Sequence, residues 1–341
     1  MQEQTYRRTR QGPVVRPFAT SAAVECRSYS LGLQRVLVDF GAEESFAQAA
    51  ARVREHYGLE VSGSTLRRHT EVHAAALFVE QAEARACAPL PPGGEPQMIG
   101  QIDGGMVPLV TTRAAADRRK TRQVAWQEAR LALAHAQGCV SPQFAATLGD
   151  VTQAGAGLRQ CVVRAGGGQA SAVHCLGDGA SWISAQVREQ FGAQGSYLVD
   201  FYHVSEYLAA AALAIAGAQA TAWRHEQQEH LKANLVLRVL QALKPHLEPE
   251  TQADETAPVR CCYRYLLKRL DYLNYRDALA HGLPIGSGEI ESAHRYVVQK
   301  RLKLAGAWWK KEQAANMLAL RVTRANGDWD AYWERARQAA A

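Results

Sequence analysis

Residues 284–295 have the sequence PIGSGEIESAHR, which predicts a tight turn that leads into a helix. Gly286 and Gly288 leave no side chain near the turn, so the backbone can bend sharply there. Ser287 or Gly288 can supply the non-helical residue that precedes the first helical turn. Acidic residues follow at once, where the positive end of a helix favours them. We therefore expect a helix with carboxylates in its first turn.

Three apolar runs upstream of this turn predict buried strands. Two of them end in a carboxylate, residues 98–102 before Asp103 and residues 172–176 before Asp178. The third, residues 196–201, contains Asp200 and is closed by Tyr202 and His203. Residues 106–112 read as a further strand, and residues 124–135 fit a strand or a helix. Helical patterns at 150–163 and 182–191 lie between the strands. Strands that alternate with helices indicate an α/β sheet, where functional residues collect at strand ends.

Changes in composition divide the chain into five predicted parts. They are an N-terminal helical region (1–88), a linker rich in proline and glycine (89–97), the first part of the α/β core (98–203), a helical insertion (204–283), and the helix after the turn with the C-terminal helices (284–341). The linker assignment follows from proline, which continues neither a helix nor a sheet ladder. Within the insertion we expect helices over 204–216, 220–233, 235–243 and 259–279.

Residues 46–72 have the outline of a helix-turn-helix. Phe46, Ala50, Val53 and Tyr57 recur at helical spacing, and Gly58 can end that helix. A short turn follows, and a second helix is predicted to begin after it. The pattern is as typical of an ordinary helical hairpin as of a DNA-binding motif.

Ser62 is the predicted N-cap of the second helix. Thr65, Arg67, Arg68 and His69 would lie on its exposed part, and Leu66 and Val72 would pack inward. In a DNA-binding helix-turn-helix, such a helix enters the major groove and its arginines contact guanine or phosphate. Arg67 and Arg68 are therefore candidate DNA contacts, with ordinary surface charges as the alternative.

The charge of the chain suits a nucleic-acid partner without establishing one. Its formal net charge is +6 and its sequence pI is about 9.0. Basic residues cluster at 7–10, at 118–122 and at 300–303, where Lys300, Arg301 and Lys303 are candidate phosphate contacts. No apolar run is long enough to span a bilayer, and residues 1–20 lack the apolar centre of a secretion signal. We expect no membrane partner and a cytoplasmic location.

Asp103, Asp178 and Glu291 can form a site for divalent metal ions. Two of them close predicted strands, and the third lies on a helix after a long helical insertion, which is the order of a ribonuclease-H-like nuclease core. Magnesium prefers hard oxygen ligands, and two ions about 4 Å apart can activate the attacking oxygen and stabilise the leaving one in phosphoryl transfer. The sequence thus predicts a ribonuclease-H-like mixed sheet with an all-helical insertion, preceded by an all-α helix-turn-helix domain.

Longer motifs resemble those of the ISKra-type insertion-sequence transposases of the DDE superfamily. They are GDGASWI (177–183), LVDFYH (198–203) and PIGSG through Glu291, continued by Arg301-Leu302-Lys303, Gly306, Trp309, Met317-Leu318 and Leu320-Arg321. The resemblance covers most of residues 45–335. It implies a transposase that cuts and joins DNA with Mg²⁺ or Mn²⁺ through Asp103, Asp178 and Glu291. Asp200 and His203 lie where related Mutator-like transposases keep a Cys-x-x-His pair, which makes them possible accessory residues.

The partners expected from this resemblance are double-stranded DNA and further copies of the chain. The DNA would be the terminal repeats of the element and its target, and the protein would be associated with the nucleoid. The alternative function is a sequence-specific DNA-binding protein without catalysis, either domesticated or inactive. Three carboxylates close to DNA phosphates would repel them, so their presence favours the enzyme. Of the two glutamates in the first turn, Glu291 is the expected ligand and Glu289 an exposed acid favoured by the helix dipole.

Overall fold

The computed structural model describes residues 4–7, 9–21, 29–86, 89–114 and 116–340. Arg8, in the first basic cluster, lies outside the described residues. The architecture is mixed α/β with a five-stranded mixed sheet. The strands are β1 (Tyr6–Arg7), β2 (Val14–Val15), β3 (Gln97–Thr111), β4 (Gln123–Ala136), β5 (Gln143–Thr147), β6 (Ala172–Gly177) and β7 (Gly195–Val199).

Helices make up most of the remaining described chain. They are α1 (Pro17–Ser21), α2 (Leu31–Glu43), α3 (Phe46–Tyr57), α4 (Gly63–Ala86), α5 (Val151–Arg164), α6 (Ser181–Phe191), α7 (Phe201–Ala216), α8 (Ala220–Lys232), α9 (Val236–Leu243), α10 (Pro258–Leu267), α11 (Tyr275–Ala280), α12 (Gly288–Ala293), α13 (Lys300–Leu302), α14 (Lys311–Ala325) and α15 (Trp329–Ala340). A π-helical segment, His294–Gln299, joins α12 to α13.

The chain forms two compact units. The sheet unit comprises residues 84–105 and 129–294, and the helical unit comprises residues 1–83, 106–128 and 295–341. The linear division predicted from the sequence places residues 284–341 in one part. In the structure the boundary falls between His294 and Arg295, and two further boundaries fall inside β3 and β4.

The five-stranded sheet has the order β5-β4-β3-β6-β7. Strands β3, β6 and β7 are parallel neighbours, with Gln101 paired to Leu176 and Gly177 paired to Val199. Strand β5 runs antiparallel to β4. Parallel strands need crossover connections, and α5 and α6 provide the helical patterns that the sequence predicts between them.

Alternating side chains of the strands face two different cores. Met98 and Ile102 of β3 pack in a cluster with Leu158 of α5 and Val187 of α6. Ile99, on the opposite face of the strand, belongs to a cluster formed with helices α7 to α11. Because successive side chains of a strand point to opposite faces, Gln101 and Asp103 lie on the same face as Ile99. The helical insertion therefore covers the face that carries Asp103.

Several predicted elements need correction. The two strands expected on either side of Gly104 and Gly105 form one strand, β3. The strand expected over 196–201 ends at Val199, because Asp200 caps helix α7, which begins at Phe201. Residues 124–135, which fitted a strand or a helix, belong to strand β4, and strand β5 was not predicted. The single helix expected over 259–279 is interrupted between Leu267 and Tyr275. Tertiary contacts override helix propensity in that gap, since the side chain of Arg269 is held by the backbone oxygen of Gly179.

The predicted linker is packed into the sheet unit over its described length. Its backbone carbonyls at Pro91, Gly93 and Pro96 accept hydrogen bonds from residues 169, 170 and 172, respectively. Gly94 approaches the backbone of Gly168 so closely that a Cβ atom would overlap it. Proline does interrupt regular structure there, but the segment is fixed by its hydrogen bonds. Residues 87 and 88 lie outside the described residues.

Helices α2, α3 and α4 form the N-terminal core of the helical unit around Leu37, Val53 and Leu66, all of which are fully buried. Gly58 ends α3 in the left-handed conformation, and the Ser62 hydroxyl accepts a hydrogen bond from the Thr65 amide. Both features agree with the predicted helix ends.

The predicted faces of α4 need correction. Val72 was expected to pack inward but is 61% exposed, whereas His69, expected on the outer face, is buried. The buried stripe continues from Leu66 through Thr70 to His73, whose ring contacts Tyr332 at 2.7 Å and Gln34 at 2.9 Å. A pattern based on apolar residues misses a stripe that contains histidine and threonine.

Candidate active site

Asp103 lies within β3, and Asp178 and Asp200 come directly after the parallel strands β6 and β7. The pairing of Gln101 with Leu176, continued by two residues, sets Asp103 beside Asp178. The pairing of Gly177 with Val199, continued by one residue, sets Asp178 beside Asp200. Adjacent strands are about 4.8 Å apart, so the backbones at these positions are close neighbours. The three aspartates thus form one row across the sheet.

The loop at Asp178 is held by residues of the helical insertion and of β7. Tyr265 donates a hydrogen bond to the backbone oxygen of Asp178 at 2.6 Å, and Arg269 donates to that of Gly179 at 2.7 Å. The Gly179 amide donates to the Tyr197 hydroxyl at 2.9 Å. Gly179 has a φ of +86°, a conformation that favours glycine. One oxygen of the Asp178 carboxylate accepts a hydrogen bond from the Ala180 amide. The helical insertion therefore fixes the backbone that carries Asp178.

Asp200 is a buried anchor for the turn at residues 284–288. One carboxylate oxygen accepts hydrogen bonds from the Tyr202 and His203 amides at the start of α7. The other accepts from both the amide and the hydroxyl of Ser287. Ser287 precedes α12 as predicted, but its hydroxyl donates to Asp200 instead of capping the helix. The structure thus gives Asp200 a positioning role.

His203 does not share this role. Its side chain stacks edge-on against Tyr207 and Tyr265 and lies 3.6 Å from Glu206 on the same helix. It therefore stabilises the junction between α7 and α10. Of the two residues in the Asp-x-x-His motif, Asp200 therefore holds the turn before α12, and His203 packs against tyrosines.

Two further contacts hold the same turn. The buried ring of His174, in β6, lies 2.9 Å from the backbone oxygen of Pro284, and burial lowers the pKa of this histidine. The Phe201 amide donates to the oxygen of Ile285 at 2.8 Å. A Cβ atom at Gly286 would lie 2.5 Å from the ring of Tyr202, which explains the glycine. Sequence reasoning missed His174, although a polar residue inside a buried strand requires a partner.

Helix α12 is attached to the sheet through Glu289. Its carboxylate accepts hydrogen bonds at 3.0 Å from Gln101 of β3 and at 3.0 Å from His135 of β4. The side-chain oxygen of Gln101 accepts from the Ile290 amide at 3.0 Å. Glu289 is an exposed first-turn acid, as the sequence predicts, but its hydrogen bonds to two strands were not expected. Gln101 and His135 were also missed, and their signal is again a polar side chain in an apolar strand.

The apolar stripe of this helix faces the sheet unit as the 3.6-residue period predicts. Ile290 and Ala293 are buried, and His294 lies under β3 with its ring 3.5 Å from a carboxylate oxygen of Asp103. Gly105 leaves room for that ring, because a Cβ atom there would lie 3.0 Å from it. These contacts fix the rotation of the helix and hold its C-terminal end next to Asp103.

Glu291 lies on the opposite flank of the stripe from Glu289. Residues two apart on a helix point about 200° from each other. Glu289 reaches β4, which is the neighbour of β3 on one side. The Glu291 side chain is exposed and makes no hydrogen bond or ion pair with any described residue. It is free to change rotamer.

The pair formed by His135 and Glu289 makes stability depend on pH. The hydrogen bond to Glu289 raises the pKa of His135, and the hydrogen bond from His135 lowers the pKa of Glu289. A raised histidine pKa contributes stability that is complete below the ordinary value of about 6.5 and is lost as the pH rises through the folded-state value. A lowered glutamate pKa contributes stability that is lost only in acid.

We therefore expect the wild-type protein to lose about 0.5–1 kcal/mol of unfolding free energy between roughly pH 6 and pH 9 through this pair. The expected loss is small because Glu289 is exposed and solvent weakens the pair. Urea unfolding measured at both pH values checks the prediction. Glu289→Gln should remove this difference, and His281→Gln, which alters an exposed histidine, should keep it. An unchanged pH dependence in Glu289→Gln would contradict the pairing.

The predicted DNA-contacting residues divide into exposed and buried ones. Arg67, Arg68 and Lys303 are exposed, as expected. Lys300 is half-exposed and pairs with Glu43. Arg301 is 1% exposed, donates to the backbone oxygen of Gly41, and stacks on Phe46 and Trp309. Its prediction as a surface phosphate contact is therefore wrong, because a flanking run of basic residues does not reveal that one member packs between aromatic rings.

Comparisons with known proteins assign no family to the chain. No family model matches it, and no curated protein matches it. Among the described residues, no group of three or more histidine, cysteine, aspartate or glutamate side chains is arranged to hold a metal ion. None of the helices within that part of the chain is long and apolar enough to cross a membrane.

Proposed function

We propose that this protein is a DDE-type DNA transposase with a ribonuclease-H-like core. The observation that carries the proposal is the row formed by Asp103 and Asp178 at neighbouring parallel strands, with the Glu291 helix attached across it. The strand order, the helical insertion before α12 and the position of each acidic residue support the core predicted from the sequence.

Asp103, Asp178 and Glu291 would hold Mg²⁺ or Mn²⁺ in this proposal. The residues fit such ions in their chemistry, because all three supply hard carboxylate oxygens and none is buried. These carboxylates would hold the ion, which would supply positive charge to neutralise the phosphate. The exposed Glu291 side chain can turn towards the aspartates when their mutual repulsion is screened, since exposed rotamers interchange rapidly.

The surrounding residues of the chain position this site. Tyr265 and Arg269 fix the Asp178 loop, Asp200 and His174 fix the turn before α12, and Gln101 fixes the rotation of that helix. Phosphoryl transfer depends mainly on positioning and charge neutralisation, so such supports affect the rate without contacting DNA.

Helices α3 and α4 would bind the terminal repeats of the element. The turn at Gly58, the cap at Ser62 and the exposed Arg67 and Arg68 at the start of α4 support a helix-turn-helix. In such a motif the N-terminal residues of the second helix contact the DNA in the major groove. Arg67 and Arg68 lie at that end of α4. The partner is double-stranded DNA, and further copies of the chain would assemble on it.

Variants that affect DNA binding and DNA cutting separately test the proposal. The substrate is a supercoiled plasmid that carries the reading frame with its flanking DNA. Asp178→Asn should bind this DNA normally in a gel shift and fail to cut it, whereas Arg67→Ala combined with Arg68→Ala should weaken binding by about tenfold or more, since each removed contact contributes roughly 1–3 kcal/mol.

The outcome also decides between the enzyme and a DNA-binding protein without catalysis. Specific binding without cutting by the wild-type protein would favour the latter. Arg52→Ala with Arg54→Ala, which alters two exposed arginines on α3, is the matched control for charge. If both double variants weaken binding equally, α4 is not the recognition helix.

A further inference from the structure

A positively charged cleft lies within the helical unit, separate from the aspartate row. Its volume is about 600 Å³, which is in the range of cavities that bind small ligands. Arg67, Arg122, Arg301 and Lys310 line it, against one acidic residue, Glu71. The excess of cations favours an anionic ligand.

Trp308 forms an aromatic platform at the mouth of this cleft. Its side chain is 50% exposed, and the guanidinium of Arg122 lies 4.4 Å from the ring centroid. A guanidinium stacked on an exposed indole can be displaced by another flat group at a small cost, because such a contact contributes only about 0.5–1 kcal/mol at exposed sites. Arg122 would then be available to a phosphate.

We propose that this cleft binds one unpaired nucleotide of a DNA strand, with the base stacked on Trp308 and its phosphate held by Arg122 and Lys310. Stacking on an aromatic ring and a basic rim are the two features by which proteins bind single strands. A free nucleotide has the same chemistry, whereas an acidic peptide would use the cations but not the indole. The inference rests on the proposed function only in naming DNA as the source of the nucleotide.

The test measures binding of a short single-stranded DNA that contains one 2-aminopurine, in EDTA so that no cutting occurs. The fluorescence of 2-aminopurine falls when the base stacks on an aromatic ring. Wild-type protein should quench it, Trp308→Ala should bind about tenfold more weakly without quenching, and Trp308→Phe should retain part of both. Trp126→Ala, which alters an exposed tryptophan outside the cleft, should behave as wild type.

Equal affinity and quenching in Trp308→Ala and Trp126→Ala would overturn the proposal. Deoxyadenosine monophosphate that competes at the same concentration as the oligonucleotide would also overturn it, because the cleft would then be a site for free nucleotides. Since the assay needs neither metal nor cutting, its failure leaves the proposed strand transfer untouched, and loss of metal-dependent cutting leaves the cleft untouched.

Discussion

Glu291→Gln is expected to reduce strand cutting by about 100-fold or more, because loss of one metal ligand removes several kcal/mol of transition-state stabilisation. Glu289→Gln should keep most of the activity. A glutamine at position 289 can still accept a hydrogen bond from Gln101 or His135, whereas a glutamine at 291 has lost the charge that the ion requires.

Single-turnover cutting of the same plasmid by the two variants measures this difference, and a gel shift shows that both still bind DNA. The pair is closely matched, since both changes remove one charge from one turn of α12. Full cutting by Glu291→Gln together with an inactive Glu289→Gln would contradict the assignment of the two flanks of the helix.

Asp200→Ala is expected to lower the free energy of unfolding by about 3–5 kcal/mol. The substitution removes the cap of α7 and leaves the buried amide and hydroxyl of Ser287 without their acceptor. Loss of an N-cap alone costs about 1 kcal/mol. Most of the effect therefore comes from the anchor to the turn.

Asp150→Ala provides the matched control for this measurement. Asp150 is the exposed N-cap of α5, where it accepts from the Gln153 amide at 2.9 Å. Within the part of the chain that the structure describes, it has no second partner of the kind that Ser287 gives Asp200. Urea unfolding should show a loss of about 1 kcal/mol for Asp150→Ala. Equal losses of unfolding free energy in the two variants would mean that Asp200 contributes only as a helix cap.

Local patterns predicted the elements of the site, and long-range contacts determined the rest. The turn at Gly286 and the cap at Ser62 depend on neighbours within a few residues, so they can be identified from the sequence. The turn predicted where α12 begins.

The partners of buried polar residues could not be identified in this way. Gln101, His135 and His174 interrupt apolar strands, which signals that each needs a hydrogen bond, but the partners lie more than 100 residues away in the chain. The break after α10 had no proline or glycine signal either, and the contact made there by Arg269 is with Gly179, far away in the chain. Short strands such as β5, which contains two alanines, have too weak a pattern to be predicted.

The central claim is that Asp103, Asp178 and Glu291 form one site for divalent ions. Mn²⁺ binding to the full-length protein, measured by electron paramagnetic resonance with and without bound plasmid DNA, tests it most directly. We expect Mn²⁺ to bind the wild-type protein and Asp150→Asn equally well, and to bind Asp103→Asn, Asp178→Asn and Glu291→Gln at least about tenfold more weakly. Unchanged Mn²⁺ affinity in these three variants would contradict the claim.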